Sequence, residues 1–595
     1  MNDTACTAEE YVPNPDVAGV NHPRWETRCA ISGRIASVEQ RREATPTEIR
    51  TGHFDDSPEA EATATAECTI EVSFLDDTTG ERITRTVSGP ASLLSDPPAE
   101  WHRRGATLPT EIHKHRDWPP PLQWRGAMKG HRQEKQVSRF AWAQMGWVPV
   151  RGGHPVYIVG DQVIGTTGFT DNATPGITEH TLSGASRFGV DLPVDLDQAR
   201  ADLRELVDVY YRNGAWADRR LGALVVAAGI RPAVPIRPHT TIYFGGKRAA
   251  GKSWSASAIM AFWQASAKGW GEKLPGGAKD TMASTELAVS RANIWVIDDL
   301  APTGDQRQAQ AELARLGDLI RSVHNGSGKR RADQNMDLRA THDPRALLII
   351  TAENEHNVAS VRDRIVFAPV DGLGTDEAVA AVERMRDVTG IPGRISGAVL
   401  QDLARLTATH GWSQYAEMLA GVYDRDSRTA ADATGDGDKA IRHGRLAADI
   451  VLGIRVLGDY AAEIGCKDLR KAFGEMARDV FSLVADHYVS QKTTSPGRSA
   501  LAAVRATLAS GQAHIVSLTT PGAPPATGEE AGAINNLLGW TATPDGGSRP
   551  GGPSIGRIAY PKGEGVVFLN AIPAFNEARR NHPDLIPYGS TYRAA

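Results

Sequence analysis

Cysteine is scarce: Cys6, Cys29, Cys68 and Cys466 are the four in 595 residues. They form no C-x-x-C pair and sit beside no histidine ladder, so neither a disulfide framework nor a zinc site is supported. A reducing cytoplasm is the expected compartment. Long apolar runs are missing too. The longest, near Leu221 to Ile230, falls far short of the roughly 18–20 residues a membrane helix needs, and Met1 to Glu10 is polar and acidic, unlike an export signal. No membrane association is expected. Nor does one sign of charge dominate, since 66 Lys and Arg face 71 Asp and Glu for a net charge of −5. That excludes a wholesale basic polyelectrolyte but leaves room for a local basic patch. There is no repeat at a solenoid period. No Asp-x-Asp pair stands in a strand-and-hairpin setting that would make the N-terminal region a primase, and Asp76-Asp77 before Thr78-Thr-Gly80 reads as a turn.

What is present is ordinary globular material, 41% hydrophobic and 23% charged, long enough for roughly four domains of about 150 residues. Residues 1–190 are expected to be a β-rich region, on alternating runs such as Thr69 to Phe74 and Val156 to Val159 broken by Gly, Pro and Asp. A helical linker over 191–237 follows, with Leu203, Leu206, Val207 and Tyr210 at helical spacing and Pro232 and Pro235 ending it. From 238 to 374 short apolar strands (Thr241 to Phe244, Ile294 to Ile297, Leu347 to Ile350, Ile365 to Ala368) alternate with longer helical stretches, which predicts an α/β core on a parallel sheet. The Ala/Leu-rich stretch 375–515 predicts a helical bundle, and 516–595 a small module of helix and strand around Gly565 to Leu569.

One motif is sharp. Gly246-Lys247-Arg248-Ala249-Ala250-Gly251-Lys252-Ser253 fits G-x-x-x-x-G-K-S between a strand and a helical run. Glycines let backbone N–H groups turn inward around a β-phosphate, and the following helix directs its positive end at the same anion. Lys252 is expected to reach the β- and γ-phosphates and the Ser253 hydroxyl to coordinate Mg²⁺, making ATP and Mg²⁺ the expected ligands. The strand Asn293 to Asp299 ends in two carboxylates. Asp298 is assigned to the metal shell and Asp299 to the attacking water, although such a strand end is also a common turn onset or helix cap. A third strand ends in Thr351-Ala-Glu-Asn354, where Thr351 and Asn354 compete for a γ-phosphate sensor role. Beyond it, Arg362 or Arg364 suits a finger that neutralises charge in a neighbouring subunit's site, the alternatives being an ion pair with Asp363 or a solvated side chain. Between the acid and sensor strands, Lys329, Arg330, Arg331 and Arg339 flank an Asp-Gln-Asn centre, which taken alone reads first as a solvated loop and otherwise as a basic hairpin that tracks a phosphate backbone.

This order of parts resembles the AAA+ ring ATPases of helicase superfamily three, the replication initiators of small viruses, plasmids and phages. The stretch from about 145 to 370 is similar, more closely, to phage- and plasmid-borne proteins grouped as domain-of-unknown-function family 927. The resemblance rests on Met145-Gly146-Trp147 with Val156 to Gly165, Ser284 to Leu287 leading to Asp298-Asp299-Leu300-Ala301-Pro302, and Ser360 to Arg364. Ile555 to Leu569 looks like a module appended in the same proteins. The resemblance implies an ATP-driven helicase or translocase in mobile-element replication, assembled as a homo-hexamer or other ring on single-stranded DNA. The competing expectation is an ATP-switched assembly or defence ATPase that does not move on nucleic acid.

Overall fold

A computed structural model describes residues 6–13, 21–57, 60, 65–76, 79–103, 106–120, 137–179, 181–264, 274–300, 306–328, 342–353, 355–356, 358–373, 375–434, 437–493, 496–527, 531–544, 547–560 and 565–582. The chain divides into two compact units, Met1–Phe481 and Ser482–Ala595.

The first unit opens with strands. Cys6–Pro13 pairs with Asn21–Cys29. Arg82–Pro90, Thr65–Leu75, Ser32–Arg42 and Val137–Trp142 form a four-stranded sheet in that order. Along Thr65–Leu75 the residues Cys68, Ile70 and Val72 are buried while Glu67, Thr69 and Glu71 are less so, the alternation of a sheet covered on one side. They pack with Val87, Leu93, Trp101 and Ile112. A second small antiparallel sheet runs through Gly146–Val148, Val156–Val159, Gln162–Gly165 and Gly168–Phe169.

Helix Leu196–Val207 starts at Asp195, whose side chain accepts from the Gln198 N–H, and helix Arg219–Ile230 starts at Asp218. The apolar run from Leu221 to Ile230 is buried throughout, as a core helix. Pro232 then follows in a short 3-10 turn.

At the centre lies a five-stranded sheet in the order Gly276–Gly277, Ile294–Leu300, Leu347–Ala352, Thr241–Gly245, Ile365–Pro369, every pairing parallel. Its inner strands read as continuous apolar runs because both faces are covered, and every residue of Leu347–Ala352 is buried. Parallel neighbours need crossovers, supplied here by helices such as Lys252–Met260, Met282–Arg291 and Gln306–Asn325. The order places Leu347–Ala352 between the phosphate-loop strand and the Asp-Asp strand. All three therefore end on one edge of the sheet.

Helices Asp376–Asp387, Gly390–His410, Trp412–Thr434, Gly437–Glu463 and Arg470–Thr493 follow. One of them is tied to the sheet by a buried ion pair. Asp449 accepts from Arg231 at 2.6 Å, both side chains being at most 1% exposed, and its other oxygen accepts the backbone N–H groups of His239 and Thr240, each at 3.0 Å. Those amides lie immediately before strand Thr241–Gly245. Against the opposing effect of burial, the Arg231 guanidinium and the His239 side chain hold the Asp449 carboxyl well below the usual carboxylate range.

In the second unit, His514–Ser517, Ser554–Ala559 and Val566–Leu569 form a three-stranded sheet and Trp540–Ala542 pairs with Ser548–Pro550. Helices Pro496–Ala509 and Ala571–Asn581 contribute Ala503, Phe575 and Ala578 to a core with Ile515, Trp540 and Ile555. No helix among the described residues is long and apolar enough to cross a membrane.

Candidate functional site

Strand Thr241–Gly245 passes directly into the glycine loop. The loop turns tightly because three residues take positive φ: Gly246 at 156°, Ala249 at 62° and Gly251 at 96°. A side chain at Gly246 would place Cβ 2.3 Å from the Val370 carbonyl oxygen, and one at Gly251 would lie 2.4 Å from Leu373 Cδ1. Both positions therefore demand glycine on conformation and on space. Gly251 is the residue before helix Lys252–Met260 and, having no side chain, gives that helix no side-chain cap. Its first-turn N–H groups and the positive end of its dipole are left to the loop, an arrangement suited to an anion. Lys247, Arg248 and Ala249 are exposed, and Ala250 is buried. Lys252 folds back over the loop, with Nζ donating to the carbonyls of Gly246 at 2.8 Å and Lys247 at 2.7 Å.

The acid strand meets the end of this loop. Ser253 Oγ donates to Asp298 Oδ1 at 2.7 Å, and Thr351 Oγ1 donates to the same oxygen at 2.6 Å. The Asp299 N–H in turn donates to Thr351 Oγ1 at 2.9 Å. Pairing with Leu347–Ala352 shifts register between Ile297 and Leu300, and Asp299 takes a left-handed backbone with φ 60°. The bulge leaves Asp298 half-buried over the loop and turns Asp299 to solvent. Ser253 and Asp298 thus converge as two hard oxygen donors. That suits Mg²⁺, which takes few protein ligands and shares its remaining positions with phosphates and water. No cluster of three or more His, Cys, Asp or Glu residues suited to a metal exists among the described residues.

Thr351 has a different place from the one its sequence position suggests. It is fully buried, and its one hydroxyl proton is committed to Asp298. It orients both acids rather than offering a free donor. Asn354, the other sensor candidate, lies outside the described residues, as do Lys329, Arg330, Arg331 and Arg339 of the expected hairpin. Arg362 and Arg364 are half-buried in and beyond the turn Ala359–Arg362, and neither bonds the glycine loop among the described residues. Arg364 Nη1 donates to the Ser360 carbonyl, while Asp363 lies 3.7 Å from Arg442 rather than pairing with either neighbour.

Two supporting residues carry no motif. Ser255 Oγ donates to the Gly251 carbonyl and accepts from Trp216 Nε1, both at 2.9 Å. This pins the start of the helix from behind. Ser255 lies two positions past the motif, and Trp216 comes from a separate segment, so only the folded chain joins them.

The parallel sheet, the glycine loop at its carboxyl edge and the acid strand one strand away define a mixed α/β protein with a P-loop-like core. No protein-family model matches the chain, family 927 included. No curated protein matches it either. Among solved structures, the chain shares its fold with one titled "SCCmec type IV Cch - active helicase", at 12% identity and a TM-score of 0.50, over 95% of this chain and 91% of that one. A likeness at that identity is one of fold, and it reaches nearly the whole of both chains.

Proposed function

We propose that this chain is an ATP-hydrolysing ring helicase or translocase acting on single-stranded DNA, in the replication of a phage, plasmid or integrated mobile element. The observation that carries the reading is the meeting of Ser253 and Asp298 at 2.7 Å beside a glycine loop whose helix end is uncapped. In this reading the loop amides and Lys252 bind the phosphates, the ammonium leaving its present carbonyl partners for phosphoryl oxygens. Ser253 and Asp298 would hold Mg²⁺, which would supply neutralising charge. Thr351 keeps Asp298 oriented, and the exposed Asp299 carboxylate polarises water for attack on the γ-phosphorus. Asn354 is assigned to sensing that phosphate. Arg362 or Arg364 serves the site of an adjacent subunit, which makes a ring, with a hexamer as the expected form, the competent state. Lys329, Arg330, Arg331 and Arg339 contact the DNA backbone. The helicase title of the structural neighbour supports this reading at the level of the fold it shares.

The test is ATP hydrolysis at low salt with and without single-stranded DNA. Stimulation by DNA that disappears in the Arg330→Ala/Arg331→Ala double variant, with basal hydrolysis retained, is the expected result. A response that stays flat on adding DNA would favour an ATP-switched assembly or defence ATPase.

A further inference from the structure

At the opposite edge of the central sheet lies a second concavity. Asn293, Arg345 and Pro238 stand just before strands Ile294–Leu300, Leu347–Ala352 and Thr241–Gly245, and all three line a cavity of about 370 Å³. This is within the size range of small-molecule sites, which are mostly apolar with a few placed polar groups. Three rings form much of its wall. Trp147 lies edge-on to Tyr157 at 5.3 Å and to Trp412 at 5.4 Å. Each ring is locked by its polar atom: Trp147 Nε1 donates to the Ala233 carbonyl at 2.8 Å, Tyr157 Oη to that of Pro232 at 3.0 Å, and Trp412 Nε1 to that of Ile49 at 2.8 Å. The wall is rigid before any ligand arrives, which limits the ordering that binding requires.

The polar groups of the same wall are incompletely matched. Asn293 is 4% exposed. Its Nδ2 donates to Tyr157 Oη, but its Oδ1 has no partner among the described residues. Arg345 Nη2 donates to the Ala44 carbonyl at 2.7 Å, whereas Nε and Nη1 have no partner among the described residues. Arg50 and Arg237 also line the cavity, against Asp343 as the lining carboxylate. Glu43, 3.6 Å from Arg345, is divided with His342 at 3.0 Å and Arg291 at 3.9 Å. Burial lowers the pKa of both Arg237 and Arg345 from the usual arginine value, against the opposing effect of neighbouring carboxylates. The unmatched N–H groups of Arg345 favour an anion, whereas the unmatched Asn293 Oδ1 is an acceptor and does not.

We propose that this cavity is a binding site for a small planar aromatic carboxylate, its ring or fused pair of rings against the face formed by Trp147 and Trp412 and its carboxylate toward Arg345. The largely apolar wall and the small number of free donors favour one delocalised negative charge over a phosphate dianion. The site is separate from the glycine loop, and its occupancy does not depend on ATP chemistry.

Naphthalene-2-carboxylate and its neutral amide, titrated calorimetrically into the full chain, test the proposal. The carboxylate should bind one per chain and at least about tenfold more tightly than the amide. Ala416→Trp, which fills the cavity from helix Trp412–Thr434, should weaken it by about tenfold or more, as should Arg345→Gln. In the unaltered chain, bound carboxylate should slow hydrogen exchange at residues 46–50, 144–147 and 412–416. Absence of binding up to about 1 mM, equal affinity for the amide, or protection elsewhere than at these segments would each overturn the proposal. So would unchanged affinity in either folded variant.

Discussion

The two edges of the central sheet are built from opposite materials. At the carboxyl edge stand glycines, an uncapped helix start, and the short side chains of Ser253, Asp298 and Thr351. At the amino edge stand large, locked side chains: the Arg231–Asp449 pair, Arg237 donating to the Val323 carbonyl at 2.7 Å, the His239–His324 contact at 5.5 Å, and the rings of the cavity wall. The same strands join the two. One edge is open and made of backbone, suited to a ligand that brings its own charge. The other fastens the sheet to the helices around it. Stability should therefore be concentrated at the amino edge and turnover at the carboxyl edge.

Asp449→Ala should have the largest effect. It leaves Arg231 buried without its partner, and breaking a buried pair in this way costs about 3–5 kcal/mol. The denaturant midpoint should fall sharply while turnover of the folded fraction stays near that of the unaltered chain. Lys252→Ala should do the reverse, lowering ATP turnover by roughly 10²–10³-fold with the melting temperature unchanged, since Nζ touches only two loop carbonyls. A large loss of stability in that variant would break the division. Thr351→Val strains the division deliberately. It strips a buried hydroxyl from Asp298 and from the Asp299 N–H, so about 1–3 kcal/mol of stability should go together with roughly tenfold in turnover. Thr351→Ser should restore both, and full activity in the valine variant would refute the orienting role. A separate effect concerns pH. Burial, then the neighbouring His239, Arg364 and Arg237, lowers the pKa of His324 from 6.5 to about 4. The unfolded chain takes up that proton below about 6.5 and the folded chain only near 4, so stability should decline as pH drops between these values and level off beneath them. Melting curves across that range should lose this component in His324→Asn.

How far each edge could be read from the sequence follows from how it is assembled. The glycine loop was legible because its parts are contiguous, and Asp298-Asp299 because a buried parallel strand is a continuous apolar run ending where polarity returns. The strands Ile294–Leu300 and Leu347–Ala352 run further than the apolar signal, since hydrogen bonding continues past the last apolar residue. Strand Gly276–Gly277 was invisible: two glycines carry no β signal, and pairing with Ile297 and Asp298 alone defines them. Thr351 was legible as a polar strand end, but not as the donor to Asp298, which depends on the order of strands. The amino edge was out of reach. Arg231 and Asp449 are 218 positions apart, and the cavity draws on segments near 46, 145, 235, 293, 344 and 412. Only topology brings them together.

The left-handed turn at Asp299 has one further implication. Glycine enters that region of backbone space freely, whereas a residue with a Cβ is disfavoured there by about 1 kcal/mol. Asp299→Gly should thus relax the backbone and tighten the fold slightly, while stripping the rim of its outermost negative charge. Aspartate enters that region more readily than most residues with a Cβ, so the chain can carry an acid at this turn at small conformational cost.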